Sequence, residues 1–451
     1  MAVLNSPTAA VDESRSRERY RRVGLTTLLS VASRGAALAV MFLSLRIALP
    51  YMGEARYGVW MTITSLATVP MLFDFGIGNG MISRVAALSA RSDTTDLGRF
   101  IGFGLWVLSA IGLAVGGLLV CAAAYGPVNW LYRDASPALV HEARQALVMF
   151  AVLLGLSVPL QSAHRIYAGL QEGYFSMGVA GLMSLLSLAL VPFLPAMHAG
   201  VVGFLLATYG LQLASGLLLI VVLCRRFKLA MPGGAEFRIA DVRALMGSGG
   251  LFLVLQVAGV IGWEMDPVLI SALVGPAAVA TYSVVQQMFL LVSGPLAMLN
   301  ASLWGGYAEA YARRDISYLK TTLHYSVLGT VGLASLGATV VLAVYAPLAH
   351  LLTKGTLHPP GSLVGIFAAW TVLSAAGGAF AIYLNGLHVV APQVIVCVAF
   401  VLLAIVLKLA LIHPYGLEGV VLGTLLSYLL TVALPYATVF NRAVSAQLRM
   451  E

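Results

Sequence analysis

The amino-acid sequence predicts an all-α integral membrane protein with twelve transmembrane helices in two six-helix lobes. The lobes are expected to be related by a pseudo-twofold axis along the membrane normal. Three observations predict this. Apolar stretches long enough to cross a bilayer recur along all 451 residues. Basic residues collect on one side of those stretches. A short polar motif repeats at a fixed offset that falls in equivalent connections.

The composition comes first: 60% of the residues are hydrophobic, 10% are charged, and the mean hydropathy is +0.93. A soluble globular chain is nearer a quarter charged. A span needs roughly 20 apolar residues, because the hydrocarbon core is about 30 Å thick and a helix rises about 1.5 Å per residue. Backbone groups in lipid must be satisfied within their own segment, which selects helices, and the alternating pattern of a membrane barrel is absent. The expected spans are 23–49, 57–82, 100–124, 145–168, 175–195, 200–223, 245–272, 278–304, 322–346, 362–386, 391–412 and 417–440.

Charge then orients the chain. With both termini on the cytoplasmic side, 19 basic residues fall inside and only Arg56, Arg133, Arg144 and Lys354 fall outside. This is the positive-inside bias. The net charge of +8 is therefore a topology signal with weak attraction to anionic lipid, rather than a nucleic-acid footprint. Residues 1–22 are polar and Arg-rich, and the first apolar run is longer than a signal-peptide core, which predicts a cytoplasmic basic tail and a retained anchor. Cys121, Cys224 and Cys397 sit within or at the ends of spans, an odd count with no disulfide framework. The eight histidines show no ligand spacing, so neither metal nor cofactor is expected.

The longest cytoplasmic connection, 224–244, is basic, contains Pro232-Gly233-Gly234, and divides the spans six and six. The expected organisation is a tail at 1–22, an N-terminal lobe at 23–223, a linker at 224–244, a C-terminal lobe at 245–440 and a tail at 441–451. An internal echo supports the division. Residues 90–97 (ARSDTTDL) and 312–319 (ARRDISYL) both fit A-R-x-D-x-x-x-L at an offset of 222, and Gly53 and Gly275 share that offset. Six spans per half give both halves the same orientation, the arrangement of parallel-repeat transporters.

Charges within spans mark candidate sites, because each costs roughly 2.5–3.5 kcal/mol at the bilayer centre. They are Arg34 and Arg46 on the first span, Asp74 on the second, Glu264 and Asp266 on the seventh and Lys408 on the eleventh. The stretch 258-AGVIGWEMDPVLISALVG-275 sets its two acids about 200° apart on a regular helix. Pro267 supplies no N–H, so the carbonyl of Trp263 loses its helical partner and a bend or broken turn is expected. Such a bend would aim both acids at one wet space, in an outer-leaflet cluster with Arg46 and Lys408; the alternative places them in the headgroup region. Arg34 is expected to line an inward-facing cavity as an anion ligand, or to snorkel to the cytoplasmic interface. Asp74 and Arg84 are candidates for a cytoplasmic gate, beside a small-residue packing face at Gly76 and Gly80. Gln256, Gln286, Gln287 and Asn300 suit sugar hydroxyls or interhelical bonds equally.

The segment 49-LPYMGEARYGVWMTITSLATVPMLFDFGIGNGMISRV-85 resembles the G-x-x-x-Y-G-V-W…D-x-G-x-x-N pattern of polysaccharide and O-antigen flippases, within the multidrug/oligosaccharidyl-lipid/polysaccharide exporter superfamily. The resemblance continues in 264-EMDPVLISALVGPAAVATYSVVQQ-287, with an Asp followed by G-P-A-A-V-x-x-Y, and in 304-WGGYAEAYARRD-315. It implies a bacterial inner-membrane flippase that moves undecaprenyl-pyrophosphate-linked oligosaccharide from the cytoplasmic to the periplasmic leaflet. It also implies alternating access, with coupling to protons, sodium or the membrane potential, and partnership with polysaccharide polymerase and chain-length machinery. Arg34 and Asp266 match the family's basic and acidic positions; the roles of Glu264 and Lys408 rest on the physical argument alone. Two rival readings remain. A multidrug or cation antiporter of the same superfamily should favour unopposed acids, which Arg34 and Arg46 disfavour. A membrane polymerase or glycosyltransferase should carry a larger outer loop than 125–144, whose charged residues are Arg133, Asp134, Glu142 and Arg144.

Overall fold

The computed structural model describes residues 7–68, 77–90, 94–227, 249–387, 389 and 391–436. Asp74, Gly76, most of the linker and the last fifteen residues lie outside the described residues. Among the described residues every regular element is helical. They are α1 (Pro7–Ser65), α2 (Ile77–Ala90), α3 (Thr94–Tyr125), α4 (Pro137–Gly169), α5 (Gly173–Leu190) and α6 (Val201–Arg226). Then follow α7 (Gly249–Gly259), α8 (Asp266–Leu273), α9 (Pro276–Ser302), α10 (Trp304–Ala312), α11 (Ile316–Thr353), α12 (Gly361–Gly386) and α13 (Ala391–Tyr428).

Within those residues nine helices are long and apolar enough to cross a membrane, or ten when the bent pair Val254–Glu264 and Asp266–Leu273 counts as one span. The chain is thus a multi-pass membrane protein. The count falls below the expected twelve for a local reason. The connections expected after the first and eleventh spans stay helical, so each of these spans runs on into the next as a single helix. Each breaks at a glycine instead: α1 at Gly53 (φ 79°, ψ 167°) and α13 at Gly416 (φ 58°, ψ −129°). Both φ values lie where a Cβ is strained, and Pro50 and Pro414 weaken the helix just before each break. At its other end α1 extends the first span back through most of the segment expected as a tail.

The 222-residue offset reappears in the backbone. Gly275 (φ 124°, ψ 162°) lies in the same positive-φ, extended-ψ region as Gly53, and α11 begins at Ile316 where the offset from Thr94 of α3 places it. Asp315 caps α11 by accepting a hydrogen bond from the Tyr318 N–H at 2.9 Å; its counterpart Asp93 lies outside the described residues.

The chain forms two compact units. The first holds residues 1–48, 69–126 and 141–249. Here α3 and α4 approach to backbone contact, because Gly112 and Gly116 sit one turn apart and face Gly155. A Cβ on Gly155 would lie 2.8 Å from both the Gly112 carbonyl oxygen and the Gly116 Cα. In lipid no hydrophobic effect drives helices together, so close approach through small residues supplies the packing energy. The outer face of α3 stays apolar, with Leu113 75% and Leu118 71% exposed, as a lipid-facing surface requires. At the ends of these helices polar groups meet orphan backbone. Arg144 donates to the carbonyls of Ala123 and Ala124 at the end of α3, Glu142 accepts from the Val201 N–H that opens α6 at 3.3 Å, and Arg226 pairs with Glu172 at 2.5 Å.

The second unit holds residues 49–68, 127–140 and 250–451. Its apolar core gathers Tyr307, Leu319, Tyr383, Phe400, Ala404 and Tyr428 from α10 to α13. The 127–140 segment is fastened to α8: Ser271 Oγ donates to the Leu131 carbonyl at 2.8 Å, and the Arg133 N–H donates to the Ser271 carbonyl at 3.2 Å.

Replacing Gly155 with Leu is expected to force α3 and α4 apart. The cost of overpacking, about 1–3 kcal/mol or more, should appear as a lower melting temperature of the detergent-solubilised protein, while Gly117→Leu, which meets open space, should melt as the parent does.

Candidate functional site

The seventh expected span breaks where Pro267 predicts. Residues Val260–Glu264 form a single π-helical turn, and the axis bends by 42° between Val254–Glu264 and Asp266–Leu273. In a π register the carbonyl of Gly262 looks to the N–H five residues on, and that residue is Pro267, which has none. The orphaned carbonyl is taken by a side chain: Lys408 Nζ of α13 donates to the Gly262 oxygen at 2.7 Å. The same ammonium meets Asp266 Oδ1 at 2.5 Å. The second carboxylate oxygen of Asp266 accepts from Tyr282 Oη of α9 at 2.9 Å.

This node is dry. The Lys408 and Asp266 side chains are 4% and 5% exposed. Removing two charges from water is costly, and the cost is offset only when geometry is good and the remaining donors and acceptors are used. Here both carboxylate oxygens are engaged and the ammonium makes two bonds. Glycines make the approach possible. A Cβ on Gly423 would lie 2.8 Å from the Lys408 backbone N, and one on Gly262 would lie 2.5 Å from the Phe400 ring.

Beside the node lies a cavity of about 160 Å³ within the second unit. Asp266, Tyr282 and Thr424 line its buried end, while Gln286, Ser293, Trp370 and Ser374 are only partly buried.

The sequence-predicted residues therefore divide. Of the expected cluster, Asp266 and Lys408 meet, in a dry ion pair. Glu264, two residues before Asp266, is partly buried, does not line the cavity, and makes no hydrogen bond or ion pair among the described residues. Arg34 and Arg46 belong to the first unit and are both exposed on α1. Arg84 is half-buried, and its Nε has no hydrogen-bond partner among the described residues. Gln287 spans to Tyr57 Oη at 3.3 Å, and Asn300 accepts from Thr330 Oγ1 at 3.0 Å, so these two amides are interhelical bonds. The charge pattern of the sequence does not single out Tyr282, Trp370 or Thr424. Only the Tyr of G-P-A-A-V-x-x-Y carried a signal for Tyr282.

The motif residues serve the backbone. Gly53 and Gly275 take the positive-φ turns, and Gly58 packs so tightly on the Pro276 carbonyl that a Cβ would overlap it. Tyr57 receives Gln287, and Tyr282 holds Asp266.

The model of the family described as polysaccharide biosynthesis protein matches residues 20–304. The chain belongs to that family. A curated relative, the putative O-antigen export protein of Yersinia pseudotuberculosis, is 21% identical over 417 residues, covering 90% of this chain and 93% of the relative. Among solved structures, the chain resembles an inward-facing multidrug resistance MATE family transporter of the MOP superfamily, with a TM-score of 0.75 at 15% identity over 96% of this chain and 99% of the other. It also resembles the lipid II flippase MurJ in an inward closed conformation, with a TM-score of 0.69 at 13% identity over 91% and 87% of the two chains. The fold is thus that of the MOP-superfamily transporters.

Lys408→Met is expected to strand a buried carboxylate and cost about 3–5 kcal/mol, whereas adding Asp266→Leu to it should recover most of the loss. Thermal melts of the single and double variants in one detergent check this, and a double variant no more stable than Lys408→Met would count against the pairing.

Proposed function

We propose that the protein is a flippase for undecaprenyl-pyrophosphate-linked oligosaccharide, carrying it from the cytoplasmic to the periplasmic leaflet of a bacterial inner membrane. The observation that carries this reading is the polysaccharide-biosynthesis family match over residues 20–304. It is supported by the 21% identical relative named as an O-antigen exporter and by a fold shared with a lipid II flippase. The proposed architecture is two six-helix lobes that rock in alternating access. Counting the nine apolar helices, the bent pair, and one further span for each of the two glycine-broken helices would give twelve, which supports this architecture. The positive φ shared by Gly53 and Gly275 supports a parallel repeat. The positive-inside bias supports a cytoplasmic location for both termini.

Pyrophosphate and sugars cannot cross dry hydrocarbon, while the prenyl tail remains in lipid. Arg34 and Arg46 are proposed as the groups that replace the lost hydration of the pyrophosphate, because a guanidinium fork matches phosphate oxygens and stays charged. Asp74 and Arg84 remain the proposed cytoplasmic gate, and Glu264 with the Asp266–Lys408 pair the proposed polar lining.

The multidrug antiporter reading is favoured by the TM-score of 0.75 to a MATE transporter. Against it stands the chemistry of Asp266. Both its oxygens are committed, one to Lys408 and one to Tyr282, so it offers a cationic drug no open carboxylate.

Deleting the gene should cause lipid-linked oligosaccharide to accumulate on the cytoplasmic face, detected by mass spectrometry of extracted lipids. Unaltered lipid pools together with lost drug resistance would select the antiporter instead. For energy coupling, Asp266→Asn combined with Glu264→Gln should slow transport into proteoliposomes under a proton gradient, and an unchanged rate would exclude proton exchange at these acids.

A further inference from the structure

We propose that the cavity between α8, α9, α12 and α13 is a subsite for one uncharged pyranose ring of the transported glycan; this rests on the flippase reading and adds to it a sugar site inside the second unit, separate from the arginines. Three features of the cavity carry it.

The first is size. About 160 Å³ of accessible space corresponds to about five waters at the ~30 Å³ each occupies in the liquid. That is the scale of a single hexose ring. An oligosaccharide would have to leave its other rings outside.

The second is the texture of the wall. Trp263, Trp370, Phe289 and Phe367 present aromatic surface, while Gln286 and Ser293 stand among them. A pyranose has this same division, with C–H faces that pack on aromatic rings and an edge of hydroxyls that needs donors and acceptors. A prenyl tail would leave the polar groups unsatisfied. A cation would find the nearest acid already neutralised by Lys408.

The third is unused hydrogen-bonding capacity. The Trp263 indole N–H has no acceptor among the described residues, but it is closed off from the space and does not contribute. The Gln286 and Ser293 side chains make no hydrogen bond among those residues, although Gln286 sits within a turn of the fully engaged Tyr282. Thr371 and Ser374 spend their protons on carbonyls of their own helix, Phe367 and Thr371, and so keep lone pairs free to accept. Buried polar groups are normally satisfied, so a set of open donors and fixed acceptors around one space is what a hydroxylated ligand would complete. The partly buried Gln286, Ser293 and Trp370 and the exposed Leu290 leave the space open along α9 and α12.

The test uses the full-length protein in nanodiscs and saturation-transfer NMR with methyl glycosides of neutral hexoses, 6-deoxyhexoses and N-acetylhexosamines, with methyl glucuronide and choline as charged controls. At least one neutral glycoside should receive saturation at its ring C–H protons, more strongly than either control. Gln286→Ala and Trp370→Leu should each weaken binding about five-fold, the scale of one lost hydrogen bond or stacking contact, while Trp370→Phe retains most of it. Ser293→Ala provides an independent variant if either of the first two melts below the parent. Absence of transfer from every neutral glycoside, transfer that survives all the substitutions, or stronger transfer from choline would overturn the subsite. Lipid-linked oligosaccharide that accumulates on gene deletion without glycoside binding sinks only the subsite. Glycoside binding that depends on Gln286 and Trp370 without such accumulation sinks only the flippase reading.

Discussion

The second unit depends on one buried electrostatic contact, Lys408 against Asp266, and that contact exists because a proline spoils a helix. Pro267 removes an N–H, the chain relaxes into a π turn at Val260–Glu264, and the Gly262 carbonyl is left without a backbone partner. Lys408 answers the carbonyl and the carboxylate together, at 2.7 Å and 2.5 Å. Neither bond alone would justify burying an ammonium. Together with the Tyr282 hydroxyl they tie α8, α9 and α13 at one point, and the bend they stabilise borders the cavity. A proline, two glycines and three polar side chains thus act as one device, and changing any one of them shifts the free energy of the others.

Glycine does two kinds of work. In the first unit it lets helices touch, as Gly112 and Gly116 do against Gly155. In the second it does so at Gly58, Gly262 and Gly423, and it also turns the chain. Gly275 and Gly53 both adopt extended ψ with positive φ, a conformation a side chain would strain, and each is followed by a helix that starts afresh. The motif shared with the family is therefore largely a description of backbone: two turns, a glycine beneath a carbonyl, and two tyrosines that fix polar groups. Such residues identify a fold more directly than they identify a cargo.

Much of this was legible in the sequence because the relevant physics is local. Apolar length gives spans, Pro267 gives a bend, and the 222-residue echo gives matching helix starts at Thr94 and Ile316. The number of separate helices was less legible, because a connection of a few residues can stay helical and place its break at a single glycine, as at Gly416. Lys408 was marked as anomalous, but its partner was only one of two acids to choose from. The choice of Asp266 over Glu264 was made by the π turn, which rotates one acid onto α13, and periodicity cannot show that. Trp370 and Thr424 were invisible for a plainer reason. An aromatic or hydroxyl residue in an apolar span reads as packing until three-dimensional structure puts an empty space beside it.

On the proposed flippase reading, the pairing of Asp266 also bears on how a neutral lining can serve a charged cargo. A free carboxylate next to the path would repel pyrophosphate, and a free lysine would hold it; at an effective dielectric of about 20, a unit charge some 4 Å away is worth about 4 kcal/mol. Pairing the two removes most of either effect while leaving their dipole and the surrounding hydroxyls in place. A surface built this way discriminates by shape and hydrogen bonding rather than by charge, which suits sugars. On that reading, attraction of the anionic headgroup would fall to Arg34 and Arg46, which sit on α1 in the first unit. Separating the two tasks would let sugar contacts vary with the glycan while contacts to a common headgroup stay fixed.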